Sequence, residues 1–289
     1  MEYELLDSGG EEKLERFGPH VLRRPDPQAL WERRQSDIIW GTCDAWFERK
    51  GEKGVWHFNR PMPKEWQIEY GGLTFLLRLT SFKHVGLFPE QLENWEWASG
   101  VLSAGAHGTQ PESALRPSVL NIFAYTGGAT LAAARAGASV THVDASKTAV
   151  EWARKNADLS GLSAAPIRWI VDDALTFVRR EVKRGVKYDG IILDPPAFGH
   201  GPKDELWKIE EDLVPLMRAC RELLSDTPRC ILMNGYAAGY SHYAFEHLLT
   251  PIASANGLTV SGGELTIAEK DSTRLLPAGI YARASREGR

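Results

Sequence analysis

The pattern of apolar and polar positions changes character once along the chain. Over residues 1–100, short β-prone runs, among them 55–58, 66–70 and 73–79, are separated by Gly and Pro. Runs of that length and composition predict strands joined by turns, and so a small antiparallel β module. Trp31, Trp40, Trp46, Trp56, Trp66, Trp95 and Trp97 fall within it. Residues 105–117 have no apolar period and predict an exposed connector. From Pro117 onward strands and helices alternate. The runs 119–123, 140–143, 167–171, 188–193 and 231–233 are apolar and of strand length. Between and after them, 128–136, 147–159, 174–183, 206–224 and 243–253 predict helices. The clearest of these spaces Leu206, Ile209, Leu213, Leu216, Cys220 and Leu223 at three- and four-residue steps. Such alternation predicts an α/β fold, a parallel sheet covered by helices on both faces. The last two runs, 258–267 and 279–283, have no helix between them. They predict a hairpin with an antiparallel final strand.

Composition narrows the class. At 289 residues the chain is one large domain or two modest ones. The change in texture predicts a β-rich, Trp-containing module over 1–100 and an α/β domain over 101–289. Hydrophobic residues at 43% and charged residues at 25% exclude a disordered or fibrous chain. The balance of 34 basic against 38 acidic residues gives a net charge of −4, which argues against coating nucleic acid by bulk charge. It leaves room for a local basic face, such as Arg179, Arg180, Lys183, Arg184 and Lys187, or Arg23, Arg24, Arg33 and Arg34. A solvated helix face is the plainer account of the first cluster. Three well-separated cysteines without a CxxC predict no cysteine-based zinc site and a reducing compartment. Histidine spacing predicts no metal. No run approaches the ~18 apolar residues of a membrane span. The acidic N-terminal segment resembles neither a secretory signal nor a transit peptide, so the cytoplasm is the expected location.

In an open α/β sheet, ligands bind beyond the carboxyl ends of the strands. Four strand ends therefore hold the candidate chemistry. The first reads Phe123-Ala124-Tyr125-Thr126-Gly127-Gly128, where two glycines precede a helix whose N-terminus can face an anion. The dinucleotide pattern G-x-G-x-x-G is absent, which counts against NAD. The second is Asp144, followed by Ala145 and Ser146. An acid there can accept both ribose hydroxyls of an adenosine, or serve only as a helix cap. The third is Asp172-Asp173-Ala174, where one carboxylate can accept an adenine amine and the other can cap a helix. The fourth, Asp194-Pro195-Pro196-Ala197-Phe198, is the most specific. Two prolines end the strand abruptly and fix the backbone beyond Asp194. The carboxylate and a neighbouring carbonyl then face the sheet edge, and Phe198 offers a ring for stacking a planar substrate.

Together these ends describe a site for an adenosine without a pyrophosphate, beside a planar acceptor. The chain resembles a class I S-adenosylmethionine-dependent methyltransferase over about residues 83–285. More closely, it resembles the bacterial ribosomal large-subunit RNA methyltransferase group. The resemblance lies in Phe123-Ala124-Tyr125-Thr126-Gly127-Gly128, Val143-Asp144-Ala145-Ser146 and Leu193-Asp194-Pro195-Pro196-Ala197-Phe198. It implies a Rossmann-like, mostly parallel seven-stranded sheet with an antiparallel last strand, S-adenosylmethionine as cofactor, and ribosomal RNA as substrate. It also implies cofactor-lining roles in the segment Lys83 to Gln91, with Gly86, Phe88, Glu90 and Gln91 as candidates. Lys83 stands one position out of register with the family's lysine, and His84 takes its place. No counterpart of the family's RNA-binding PUA domain is expected ahead of the Trp-rich module.

The residues also bear on the acceptor atom. Methylation at pyrimidine C5 requires a cysteine to add to C6. In the 5-methylcytosine branch of the group it follows the fifth strand, where this chain has Asn234-Gly235-Tyr236. Cys230 opens that strand, and Cys220 lies in an apolar helical stripe. A base nitrogen needs no thiol, and Asp194 can orient or polarise it. A protein or small-molecule acceptor, and a binding scaffold without catalysis, remain the alternatives on sequence.

Overall fold

The computed structural model describes residues 2–51, 53–103, 116–236 and 239–286. Most of the expected connector at 105–117 lies outside them. The chain divides into two compact units, one of Met1–Glu90 with Leu265–Ala278, the other of Gln91–Glu264 with Gly279–Arg289.

The first unit is built on a five-stranded sheet of β1 (Tyr3–Gly9), β2 (Glu12–Phe17), β3 (His20–Pro25), β4 (Ala45–Lys50) and β5 (Lys53–Phe58), in that order. A single helical turn, α1 (Asp37–Trp40), lies in the connection from β3 to β4. That connection is long enough to cross over, and β3 and β4 pair in parallel, Leu22 with Ala45 and Arg23 with Trp46. The module is therefore mixed, not antiparallel throughout as its short runs and turns suggested. A separate hairpin joins β6 (Trp66–Tyr70) to β7 (Leu73–Leu77). Gly71 and Gly72 make its turn with φ of 56° and 72°, the left-handed pair that matches strand twist. Most of the tryptophans here serve packing. Trp40 and Trp66 are buried, and the Trp31 and Trp56 indoles donate to the Ser8 and Thr80 carbonyls. The arginines are likewise structural. Arg24 grips buried Glu15 at 2.6 and 2.8 Å, Arg23 and Arg33 pair with Glu12, and Arg34 pairs with Glu269.

The second unit opens with α2 (Leu92–Ser103), which packs on α3 (Gly128–Arg135) and on β14 (Cys230–Gly235). Its other elements are β8 (Ser118–Ile122), β9 (Ser139–Asp144), α4 (Lys147–Leu159), β10 (Ile167–Val171), α5 (Ala174–Lys183), β11 (Gly190–Leu193), β12 (Phe198–His200), β13 (Leu206–Lys208), α6 (Ile209–Leu223) and α7 (His242–Ala255). The final strands are β15 (Thr259–Ala268) and β16 (Leu275–Ser285). One seven-stranded sheet runs β10-β9-β8-β11-β14-β16-β15, and β16 enters antiparallel beside β14. The helix starts follow local chemistry. Ser146, Asp173 and Ser241 cap α4, α5 and α7 through side-chain oxygens that accept backbone N–H groups.

One expected element differs. The helix predicted from Leu206 begins at Ile209, and Leu206–Lys208 pairs as a strand with Phe198–His200. Leu206 fits the apolar period by coincidence, for it is half exposed while the stripe from Ile209 onward is buried.

Candidate active site

Strand register brings the four candidate ends together. Ile122 pairs with Val143, Val171 with Asp144, and Leu193 with Ile122, so β8, β9, β10 and β11 finish side by side. Each loop that leaves them carries one of the expected motifs.

After β8 the backbone turns sharply. Phe123 and Tyr125 hold φ of 59° and 46°, and Gly127 caps α3 at 91°. Two non-glycine residues in left-handed conformations within three positions store strain, which the fold tolerates where a site needs a fixed shape. The Asp144 carboxylate holds this turn: Oδ2 accepts the Tyr125 N–H and Oδ1 the Ser146 N–H, both at 2.8 Å. Asn156 adds a bond to the Thr126 carbonyl. The glycines have a second reason to be there. A Cβ on Gly127 would come within 3.0 Å of Ala153, and one on Gly128 within 2.2 Å of the Trp95 ring. Their missing side chains make room for protein packing.

Asp144 is not the cap of α4, since Ser146 is. Each Asp144 oxygen spends one acceptor position on the backbone and retains another, the donor requirement of two adjacent hydroxyls. Burial pushes its pKa above the usual carboxylate value. At the end of β10 the two acids divide their work. Asp172 pairs with Arg180 and accepts its neighbour's N–H, while Asp173 caps α5 through Oδ1. The cap uses Oδ1 of Asp173 and not its second oxygen. At the end of β11 the Asp194 N–H donates to the Ile122 carbonyl, Pro195 is buried and Pro196 exposed. Phe198 is 56% exposed, as a stacking surface requires.

Two features escaped the sequence. Buried Asn234, at the end of β14, accepts from Asn94 of α2, whose oxygen receives Arg283. Beside this network Gln91 donates to the Tyr236 hydroxyl at 2.6 Å, and its Oε1 is buried without a hydrogen-bond partner among the described residues. An asparagine closing an otherwise apolar strand was the signal available. The other feature is Trp207. Its indole donates to the Pro196 carbonyl at 2.7 Å and its ring lies 4.8 Å from that of Phe123.

Phe88 and Glu90 belong to the first unit. Phe88 packs on His84, and burial raises the Glu90 carboxyl. Lys83 and His84 are also partly buried there; burial lowers the Lys83 ammonium to about 8 and the His84 imidazole to about 3. Of the basic cluster on and just beyond α5, Arg180 is taken by Asp172, Arg184 by buried Glu181, and Lys187 by the Glu222 carbonyl. Arg179 and Lys183 are exposed.

A sheet of this order with one reversed strand, a glycine turn after β8 and an acid after β9 defines the class I S-adenosylmethionine-dependent methyltransferase fold. The family model for S-adenosylmethionine-dependent methyltransferases matches residues 47–240, and the chain belongs to that family. A SAM-dependent methyltransferase from Agrobacterium tumefaciens matches 99% of this chain and 91% of its own, with 39% identity and a TM-score of 0.92. Ribosomal RNA large subunit methyltransferase K/L of Shewanella frigidimarina is 29% identical over 222 residues, 72% of this chain and 29% of that protein. Ribosomal RNA large subunit methyltransferase I of Aeromonas salmonicida is 31% identical over 220 residues, 75% of this chain and 48% of that protein. The chain thus spans less than half the length of either of these two relatives. It is a methyltransferase, and its cofactor is S-adenosylmethionine. Among the described residues, no helix is long and apolar enough to cross a membrane.

Proposed function

We propose that the chain methylates a base nitrogen of ribosomal RNA in the cytoplasm. The observation that carries the choice of atom is the position of the thiols. Cys230 pairs with Gly190 at the start of β14, whereas the ligand end of that strand is Asn234-Gly235. Four extended residues separate them, roughly 13 Å. Burial pushes the Cys230 and Cys220 thiols up to about 12, so neither supplies a thiolate near neutral pH. A nitrogen acceptor has its own lone pair and needs only position and desolvation. The RNA class is supported by the names of the two ribosomal RNA relatives and by exposed Phe198 beside Asp194.

When bound, S-adenosylmethionine supplies an electrophilic methyl on a sulfonium. In this reading the turn from Phe123 to Gly128 fixes the cofactor-facing backbone. Asp144 accepts the ribose hydroxyls beside Ala145 and Ser146, and Asp173 accepts the adenine amine beside Asp172 and Ala174. Gln91 lines the same end of the sheet, while Phe88 and Glu90 are assigned by resemblance alone. Asp194 orients the acceptor nitrogen, Pro195 and Pro196 hold it rigid, and Phe198 stacks the base.

The test uses isotope-labelled S-adenosylmethionine and extract from a strain lacking the protein. Nuclease-sensitive label in ribosomal RNA is the expected result, with loss of transfer but retained cofactor binding in Asp194→Ala. Label confined to protein or small molecules overturns the RNA assignment.

A further inference from the structure

The segment after Pro196 forms a two-stranded flap with two unlike faces. Register pairs Phe198 with Lys208, Gly199 with Trp207, and His200 with Leu206. Paired residues share a face, so Phe198, His200, Leu206 and Lys208 point one way and Trp207 the other. Phe198 and Leu206 are 56% and 50% exposed, whereas Trp207 is 4% exposed. The Phe198 and His200 rings meet edge to face at 5.2 Å, and Asp204 lies 3.1 Å from Nδ1 of His200. A planar group lying against Phe198 is therefore bordered by the imidazole and the leucine.

A ribbon of three residues per strand is marginal by itself. This one is tied down from beneath. The Trp207 indole bonds the Pro196 carbonyl, the Ile209 N–H bonds the Ala197 carbonyl, and the Trp207 ring rests on Phe123. Phe123 is the left-handed residue that opens the turn after β8. A single side chain thus touches both the loop after Asp194 and the glycine turn.

We propose that His200 and Leu206 join Phe198 in contacting the acceptor nucleotide, and that Trp207 is a positioning residue locking that face to the cofactor turn. The proposal rests on the RNA reading above. Of the four side chains on this face Lys208 pairs with Glu211, and the remaining patch of Phe198, His200 and Leu206 is the size of a base and far below the about 1,000 Å² of a protein interface. Every base presents a π-face to such a platform.

The test measures steady-state transfer to the ribosomal RNA that the wild type labels, together with cofactor affinity by calorimetry and the unfolding temperature. His200→Ala and Leu206→Ser should each raise KM for RNA about tenfold, within the range of lost base contacts, with cofactor affinity and unfolding temperature unchanged. Trp207→Phe keeps a ring against Phe123 and loses the bond to Pro196. It should lower kcat at saturating RNA without changing cofactor affinity, and Trp207→Leu should lower it further. Unchanged KM in both surface variants overturns the contact role. A lower unfolding temperature in Trp207→Phe with unchanged kcat overturns the positioning role. Label in no RNA from the wild type overturns the RNA reading and this inference with it, whereas label in RNA with unaltered variants overturns this inference alone.

Discussion

The carboxylate of Asp144 joins two loops through backbone N–H groups, one from Tyr125 and one from Ser146. Replacing it removes acceptors for both and frees a turn that already holds Phe123 and Tyr125 at positive φ. Asp144→Ala is therefore expected to weaken S-adenosylmethionine binding at least tenfold, since hydrogen bonds to a charged group are worth about 1.5–3 kcal/mol each. Calorimetry on the folded variant checks this, and unchanged affinity would remove Asp144 from the ribose role. Cys230 presents the opposite case, a reactive residue type made inert by place. It is fully buried, and its sulfur packs beside Gly190, where an added Cβ would lie 3.2 Å from it. Cys230→Ala should retain transfer. A folded, cofactor-binding variant without activity would reopen methylation at carbon.

At the level of elements, α2 and α3 meet where Gly128 faces the Trp95 ring. A methyl group 2.2 Å from ring carbons cannot be absorbed without moving one helix. Gly128→Ala should cost about 1–3 kcal/mol of stability, the usual range for overpacking. Trp95→Leu in the same chain should restore part of it, and additive losses in urea unfolding would rule out the contact. This packing also shows what could be read beforehand. The helices over 147–159 and 174–183 and the strand over 167–171 were legible to the residue because apolar period, cap residue and flanking breakers agree. The motif ends were legible because glycine, proline and acid have strong local effects. The parallel pairing of β3 with β4, the flap of β12 and β13, and the Asn94–Asn234 contact depend on segments far apart in sequence or on very short strands. Periodicity carries no information about such partners. The glycines were legible as a turn, but the indole filling the space beside one of them comes from another helix.

Over the whole molecule, two buried imidazoles and one buried ion pair act in the same direction on acid stability. Burial holds the His84 and His142 imidazoles at about 3, against 6.5 when exposed. The unfolded chain then takes up their protons first, so their stabilisation is complete above pH 6.5 and is lost as pH falls toward 3. Glu15, although burial raises its pKa, is held at about 2 by Arg24 and Lys13. Its contribution is present above about 4.5 and is lost below that value by the same rule. Glu90 and Asp144, raised by burial, oppose this trend. One imidazole lies in each unit together with Thr80 and Thr130 as local partners, His84 through its carbonyl and His142 through Nδ1. Acidification should therefore weaken both units before any carboxylate of ordinary pKa is protonated. Between pH 6 and 4 each histidine removes roughly 1 kcal/mol per pH unit, so the urea midpoint should fall over that range. Nitrogen-resolved NMR supplies the decisive reading. The His142 imidazole is expected to stay neutral at pH 5 in the folded protein, and its protonation there with an unchanged urea midpoint would show that burial does not govern acid stability in this molecule.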